Sequence, residues 1–203
     1  MSERELRSYV LVDNMQPQFA ALVGSVARGD PPVQGMAELW VELSPGSGVY
    51  EALDAVLKVT GVRPGFQVVE REYGQIELHS FSVAEVLEAG RVLLGRLGLS
   101  AGDAVRPRVV SESVVTNVSP YQAQLINRSR HGSLLVAGET LFIMEVEPAG
   151  YIVAAANEAE KAAEITLVNF DPVGRYGRLY LAGSVSAVRA AREAALGAVA
   201  RLG

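Results

Sequence analysis

The segment LFIMEVEPAGYIVAAANEAEKAAEITLVNFDPVGRYGRLYLAGSVSAVRAAREAALGAVARL, residues 141–202, contains the pattern that decides the fold. It opens with an apolar run over 141–146, which predicts a buried strand, and continues into an Ala-rich segment with helical spacing over 151–163. Two more strands are predicted over 165–170 and 178–182, and a second Ala-rich helix ends the segment. Because strands and helices alternate, we expect an α+β sandwich in which helices cover a small sheet.

The first half of the chain repeats the second half at a shift of 103 residues. Over residues 17–97 an ungapped comparison gives 15 identities in 81 positions, where roughly 6 are expected by chance, so the sequence indicates a duplicated domain. The matched pairs include Pro17 with Pro120, Gly29 with Gly132, Gly35 with Gly138, Glu42 with Glu145, Pro45 with Pro148, Lys58 with Lys161, Tyr73 with Tyr176 and Gly74 with Gly177. We therefore predict two domains, residues 1–100 and 101–203, with a linker over 99–103.

Both halves show the same order of predicted elements. In the second half a Val-rich strand over 107–116 and a short helix over 120–127 precede the quoted segment. The first half repeats the later elements as a strand, a helix and a strand pair, over 39–43, 49–58, 66–69 and 75–79. Its last helix begins after Ser82, which is a typical N-cap residue.

Composition and charge exclude several functional classes. The 203 residues are 49% hydrophobic and 20% charged, the balance of a folded globular protein. The net charge is −5 and no basic cluster occurs, so we expect no nucleic-acid partner. The lack of cysteine excludes disulfides and thiolate metal sites. No signal peptide follows Met1 and no apolar run reaches the roughly 20 residues of a membrane span, so we expect a cytoplasmic protein without membrane contact.

The quoted segment resembles the domain of bacterial microcompartment shell proteins, which has the same order of strand, Ala-rich helix ending in Lys, strand, Gly-containing loop, strand and Ala-rich helix. Here the strand and short helix that usually end that domain come first, over 109–127, so the resemblance is to the circularly permuted version. With two copies, the chain is similar to tandem-domain shell proteins. Its stretches LVDNMQPQFAAL, LWVELSPG and VVEREYG resemble motifs of the stacking, gated-pore subfamily found in carboxysome shells. The implied fold is two ferredoxin-like α/β sandwiches.

This resemblance implies an assembly and a set of partners. Three chains would supply six domains and form a pseudohexameric homotrimer with one central pore. The resemblance further implies stacking of two trimers, co-assembly with hexameric and pentameric shell proteins, and passage of small metabolites through the pore. The expected location is the microcompartment shell. The sequence leaves open the compartment type, the metabolite, the resting state of the gate and whether trimers stack.

The segments between the paired strands, 68–74 and 171–177, are the pore-lining loops in this resemblance. Glu70 and Arg71 match the Glu and Arg of the subfamily's gate, and the second loop carries Gly174 and Arg175. Three Glu–Arg pairs around one axis can close as a ring, each pair worth up to about 4 kcal/mol at about 4 Å in a dielectric of about 20, before desolvation. The alternatives are a solvated strand end at Glu70–Arg71 and a Gly-dependent turn with an exposed Arg175.

Lys58 and Lys161 occupy equivalent positions near the end of the first long helix of each half. The resemblance assigns both to tile-edge contacts with neighbouring shell proteins. The alternative is a surface Lys that complements the helix dipole, which is common at a helix C-terminus.

The sequence contains no catalytic or metal-binding pattern. His79 and His131 lack the carboxylate and hydroxyl partners of a triad, so we expect structural or surface roles for both. Trp40 is predicted to lie in the core or in an interface. We expect no enzymatic activity, no cofactor and no metal. A soluble oligomer that binds a small anion between paired domains is the alternative function, and an enzyme would require a titratable cluster in a cleft.

Overall fold

A computed structural model describes residues 4–203. The strands are β1 Glu5–Val12, β2 Ala37–Ser44, β3 Arg63–Glu70, β4 Tyr73–Ser80, β5 Arg108–Val115, β6 Thr140–Glu147, β7 Thr166–Asp171 and β8 Gly177–Gly183. The helices are α1 Pro17–Val26, α2 Gly48–Leu57, α3 Val83–Leu97, α4 Pro120–Asn127, α5 Ile152–Ala162 and α6 Val185–Ala200. Two short 3-10 turns lie at Ala101–Asp103 and Ala149–Tyr151.

The strands form two antiparallel four-stranded sheets with the same topology. The first sheet has the order β1-β2-β4-β3, and the second has the order β5-β6-β8-β7. The α+β prediction and the duplication of the architecture are confirmed. The division at residue 100 stays a prediction, and the predicted linker contains the 3-10 turn Ala101–Asp103.

Each sheet carries two helices on one face. In the first half α2 and α3 cover the face that contains Leu39, Val41, Leu43, Ile76 and Leu78. In the second half α5 and α6 cover the equivalent face, with Phe142, Met144, Val146, Leu179 and Leu181. Alternating residues of each central strand supply these cores, as the two-residue period of a strand requires.

The opposite face of the first sheet packs against the second half. Val10 and Trp40 lie on this face and share one apolar core with Ile152 and Ala156 of α5. Trp40 is fully buried, in agreement with its predicted core or interface position. Within residues 4–203 no other half covers the equivalent face of the second sheet. Leu141 and Ala182 of that face pack with Ala123 of α4, but β5 is exposed along nearly its whole length.

One detail of the repeat was predicted wrongly, because a single ungapped shift does not extend through the last helix. Ser80 and Gly183 are equivalent, since each pairs with the first residue of the neighbouring central strand. The N-caps that follow, Ser82 and Ser184, are however 102 residues apart. The extra residue of the first half is Phe81, and the shift of 103 therefore holds only as far as the end of the sheets.

Several glycines recur because the backbones approach each other closely at the same places. A Cβ on Gly74 would lie 2.2 Å from the carbonyl oxygen of Gly46, and one on Gly177 would lie 2.2 Å from that of Ala149. Only glycine fits at either position. The repeated glycines thus report a repeated backbone geometry rather than a binding motif.

Candidate pore loops and tile-edge lysines

The first loop is a two-residue turn between β3 and β4. Arg71 occupies its first position with φ 54°, in the left-handed region where glycine is usual. Arg71 Nε lies 3.3 Å from Glu70 Oε1, with the side chains 88% and 42% exposed, respectively. An exposed pair of this kind contributes little stability, so this contact does not by itself lock the two side chains.

The second loop contains the equivalent left-handed position, but with glycine in it. Gly174 has φ 95° and stands 103 residues after Arg71. The fold thus requires a left-handed residue at this point in both halves, and only the first half places a long charged side chain there. A non-glycine residue in this conformation costs on the order of 1 kcal/mol. Strain at an exposed loop residue is typical of a functional position.

The structure brings the two loops together within one chain. A Cβ on Gly174 would lie 3.8 Å from Glu70 Oε2. Gln75 Nε2 donates a hydrogen bond to the Pro172 carbonyl oxygen at 2.5 Å and thereby joins the loops. A surface depression of about 200 Å³ is lined by Glu70, Arg71, Glu72, Tyr73 and Arg175. Three of the four residues predicted for the pore therefore line one depression, and Gly174 lies beside it.

Arg175 is oriented by groups of its own half. Its Nε lies 3.3 Å from Glu147 Oε1, and its guanidinium lies 5.3 Å from the centre of the Tyr176 ring. Partial burial opposes ionisation of Glu147, but hydrogen bonds from Arg108 and Arg175 prevail and keep the pKa of that carboxyl below its usual value. Glu147 is thus a carboxylate at neutral pH that holds one arginine at the rim of the depression.

Buried polar contacts that the sequence did not reveal support the first loop. The Arg7 guanidinium stacks on Tyr73, 3.9 Å from the ring centre, and Arg7 Nε donates to Glu42 Oε1 at 2.9 Å. The backbone N–H of Gly150, in the second half, donates to Glu42 Oε2 at 2.9 Å. Burial raises the pKa of Glu42, and the bonds from Gly150 and Arg7 counteract this rise. The only signal in the sequence was the repetition of Glu42 as Glu145.

The two predicted edge lysines lie at the ends of helices, outside the loops, and are exposed. Lys58 follows the last residue of α2, and its Nζ lies 2.6 Å from Asp54 Oδ2. Lys161 lies in the last turn of α5, with Nζ 3.7 Å from Glu158 Oε1. Both positions suit either a contact with another tile or a charge that complements the helix dipole. The edge role stays a prediction.

Neither a membrane-spanning helix nor a metal-binding cluster occurs in the part of the chain that the structure describes. No helix within residues 4–203 is long and apolar enough to cross a bilayer. The same residues contain no group of three or more His, Asp or Glu side chains arranged to hold a metal ion. The two histidines lie apart: His79 is buried beside Glu77, and His131 is exposed beside Asn169.

Comparison with known proteins gives matches over nearly the whole chain. Residues 6–103 match the model of the CsoS1D N-terminal domain, and residues 140–203 match that of the BMC domain. The carboxysome shell protein CcmP of Synechococcus elongatus is 46% identical over 198 residues, covering 98% of this chain and 93% of that protein. The carboxysome shell protein CsoS1D of Hydrogenovibrio crunogenus is 44% identical over 199 residues, covering 98% and 97%.

Two solved structures have the same fold over their full length. The fused permuted hexameric shell protein MSM0275 from the RMM microcompartment superposes with a TM-score of 0.95 at 39% identity, with 98% of each chain covered. The double-ringed trimeric shell protein MSM0271 from the same microcompartment gives 0.94 at 38% identity, covering 98% of this chain and 97% of that one.

The fold, the paired loops and these relatives define the class of tandem-domain microcompartment shell proteins with permuted halves. The chain belongs to the family that includes the carboxysome shell proteins CcmP and CsoS1D. It is accordingly a structural component of a bacterial microcompartment shell. These relatives favour the shell function over a soluble regulatory oligomer.

Proposed function

We propose that the chain forms a pseudohexameric homotrimer with a gated central pore, and that this trimer occupies one tile of a microcompartment shell. The observation that carries the proposal is the exposure of β5 on this face of the second sheet, where only the part around Leu141 and Ala182 is buried, by packing with Ala123 of α4. The first sheet buries the equivalent face against the second half of the same chain, and a neighbouring chain can cover the second sheet in the same way. The division into domains at residue 100 belongs to this proposal.

The junction between the halves provides a template for the junction between chains. The N-terminus of α1 is held by α5, because the backbone N–H groups of Gln18 and Phe19 donate to the Glu160 carboxylate at 2.8 and 2.7 Å. The Gln16 N–H donates to Asn157 Oδ1 at 2.9 Å. A carboxylate at a helix N-terminus is favourable because it meets unpaired N–H groups and the positive end of the helix dipole.

Replacing each residue of this junction by its equivalent at a shift of 103 residues predicts the contact with the next chain. There α4 takes the place of α1, and Tyr121 and Leu57 take the places of Gln18 and Glu160. Leu57 cannot cap a helix, and α4 accordingly caps itself through Ser119 Oγ, which accepts the Gln122 N–H. Tyr121 is 70% exposed, and Leu57 is also exposed. The contact between chains is therefore apolar where the contact within the chain is polar.

The residues on the sheet faces are also compatible with a contact between chains that repeats the one between the halves. Within the chain Trp40 packs beside Gly150, where a Cβ would lie 3.2 Å from the Trp40 ring. At the junction between chains the equivalent residues are Ile143 and Ser47. A smaller side chain thus faces a larger one in each case, which preserves the packing volume.

The pore proposal rests on the depression formed by the two loops. Around a threefold axis, three copies of Glu70, Arg71, Gly174 and Arg175 would meet. Arg71 could then pair with Glu70 of its own chain, as it does here, or with Glu70 of a neighbour. Two arrangements of similar energy are what a gate requires, because a small metabolite with unequal affinity for them shifts their populations.

The remaining parts of the proposal concern larger assemblies. We propose that trimers stack in pairs, and that Lys58 and Lys161 contact hexameric neighbours at the tile edge in shells that also contain pentameric proteins. Replacing both lysines with Asp should leave the trimer intact and abolish its incorporation into shells. Undiminished incorporation would contradict the edge role.

The trimer is tested by placing a charge in the proposed contact. Tyr121→Asp should convert the protein from trimers, or stacked trimers, into monomers, as measured by light scattering after size-exclusion chromatography. The matched control is Phe81→Asp, because Phe81 is an aromatic residue with the same 70% exposure but lies outside the template. A trimeric Tyr121→Asp protein, or monomers in both variants, would refute the proposed contact.

A further inference from the structure

Three ionisable side chains are buried together on the face of the first sheet that points away from α2 and α3. Glu38 of β2 and His79 of β4 stand directly opposite each other, and Glu77 lies two residues from His79 on the same face. All three have zero exposure. Isolated buried charges are costly, so ionisable groups are rarely fully buried unless each is paired.

The hydrogen bonds satisfy only part of this cluster. His79 Nδ1 lies 2.9 Å from Glu77 Oε1, and the Gly65 N–H donates to Glu77 Oε2 at 2.9 Å. His79 Nε2 points towards Asp30, whose Oδ2 is 3.9 Å away. Among residues 4–203, neither carboxyl oxygen of Glu38 has a hydrogen-bond partner, nor does His79 Nε2.

The second half shows that the fold does not require these groups. The residues equivalent to Glu38 and His79 are Leu141 and Ala182, which belong to a small apolar core. Tyr180, partly buried against that core, replaces Glu77. Strand pairing is the same in both sheets, so the ionisable groups distinguish the first half from the second.

The charged groups around Glu38 determine its protonation. Burial, together with the charge of Glu77, raises the pKa of Glu38 well above its usual range. Burial also raises the pKa of Glu77, but the hydrogen bond and charge of His79 oppose that rise. On the other sides the loop after α1 contributes Asp30, β1 contributes the apolar Val12, and β3 places the exposed Arg63 opposite His79.

We propose that Glu38, Glu77 and His79 form a buried proton-binding site, in which Glu38 holds a proton in the folded chain at neutral pH and Glu77 remains paired with His79. Loss of the proton to solvent leaves a second carboxylate beside Glu77, without a partner. The site thereby makes the stability of the assembled protein depend on pH.

The position of the site connects it to the junction between the halves. The N–H groups of Arg28 and Gly29 bind the Gly65 carbonyl oxygen beside the cluster, at 2.9 and 3.0 Å. This loop continues directly from α1, and Ser25 of α1 donates through Oγ to the His131 carbonyl oxygen of the second half at 3.3 Å. A charge on Glu38 therefore acts on α1 and on the loop after it, which contact the second half.

The sign of the pH dependence follows from linkage. The ordinary pKa of Glu38 is 4.5, and its value in the folded chain is higher. The folded state therefore binds more protons than the unfolded state above that ordinary value. The contribution of Glu38 to stability is complete below the ordinary pKa, and it is lost as the pH rises through the folded-state pKa.

The test compares thermal unfolding of the full chain and of Glu38→Gln, a permanent mimic of the protonated side chain, from pH 5 to pH 9 at one protein concentration. At pH 5 the melting temperature of Glu38→Gln should exceed that of the unmodified protein by no more than about 3 °C, and this excess should grow by roughly 4 °C or more at pH 9. Glu38→Leu, which copies Leu141, should lose the same pH dependence. The matched control is Glu164→Gln, which removes an exposed charge and should follow the unmodified protein at every pH.

A difference between Glu38→Gln and the unmodified protein that is the same at pH 5 and pH 9 would overturn the proposal. Infrared spectroscopy provides a second measurement that needs no stable variant. The unmodified protein should show the band of a protonated carboxyl group at pH 7 that disappears on raising the pH. Absence of that band would overturn the proposal as well. A trimer that forms normally while these results fail leaves the proposed shell function intact, so the two ideas fail separately.

Discussion

β1 and β5 occupy the same place in two sheets of the same topology, yet one is largely buried and the other is exposed. The difference does not come from fold, because both strands pair with the central strand in the same register and carry a bulge at the same point. It comes from the neighbour: the second half of the chain covers β1, whereas β5 is exposed, and we propose that another chain covers it. A duplicated domain thus displays, within one molecule, both a completed interface and the free surface that corresponds to it.

The equivalent glutamates Glu42 and Glu145, one on each face, show the same contrast. Glu42 is buried and binds Arg7 and the Gly150 N–H. Its equivalent, Glu145, remains partly exposed and binds Ser111 and Arg178, which keep its pKa below the usual value. Because the same residue type stands in both places, the pair separates the effect of burial from that of chemistry.

The largest effect is expected from removing these carboxylates in the monomeric Tyr121→Asp background. Glu42→Ala should lower the free energy of unfolding by about 3–5 kcal/mol, because it leaves Arg7 buried without its main partner. Glu145→Ala should cost no more than about 1 kcal/mol in the same background. Urea unfolding measures both values. Equal losses would contradict the comparison, since they would mean that Glu42 and Glu145 are buried and paired to the same extent within one chain.

A second, smaller effect concerns the helices that follow β1 and β5. Glu160→Ala should destabilise the monomeric chain by about 1–2 kcal/mol, because α1 depends on this carboxylate for its N-terminal hydrogen bonds. Ser119→Ala should cost about 1 kcal/mol, as loss of a local cap on α4. Hydrogen exchange would sharpen the contrast: Glu160→Ala should expose amides of α1 and α5, whereas Ser119→Ala should expose those of α4 alone. Identical exchange patterns would contradict it.

The third prediction concerns the loops, where we expect the smallest effect on stability but a change in the opening of the pore. Glu70→Ala with Arg71→Ala should leave the free energy of unfolding within about 1 kcal/mol, because both side chains are exposed. A structure of the assembled variant should show a permanently open pore. Gly174→Ala, at the equivalent position of the other half, should strain its left-handed turn and leave the gate side chains in place. A closed pore in the double variant would remove Glu70 and Arg71 from the gate.

Much of the fold could be predicted because each element has a clear period. An apolar run identified β6, and helical spacing after Ser82 predicted α3 from Val83 to Leu97, as observed. Strand ends were less predictable: β3 was expected over 66–69 but begins at Arg63, because backbone pairing with β4 extends into residues without apolar alternation. The single-residue shift at Phe81 was also missed, since chance identities in the last helix concealed it.

The candidate site was predictable only in part. The resemblance indicated Glu70, Arg71, Gly174 and Arg175, and the two loops do lie side by side. The support of Arg7 for Tyr73 could not be predicted, because 66 residues separate them and no pattern connects one strand with the turn of another. His79 was expected to have a structural or surface role, and its buried contact with Glu77 became visible only once the strands were paired.

The sequence by itself determined the duplication, the order of strands and helices, the family and the residues of the two loops. The duplication and the order of elements follow from local periods and from identities at a constant shift, whereas the family and the two loops were indicated by the resemblance to known shell proteins. None of these properties requires knowledge of which elements are neighbours. Only the tertiary structure decided that the face of β1 is covered and that of β5 is free, and that Glu38 is enclosed with Glu77 and His79. The physical reason is that a period tells which side of an element is buried, whereas the element that buries it, and the energy of a charge placed there, depend on contacts between distant parts of the chain.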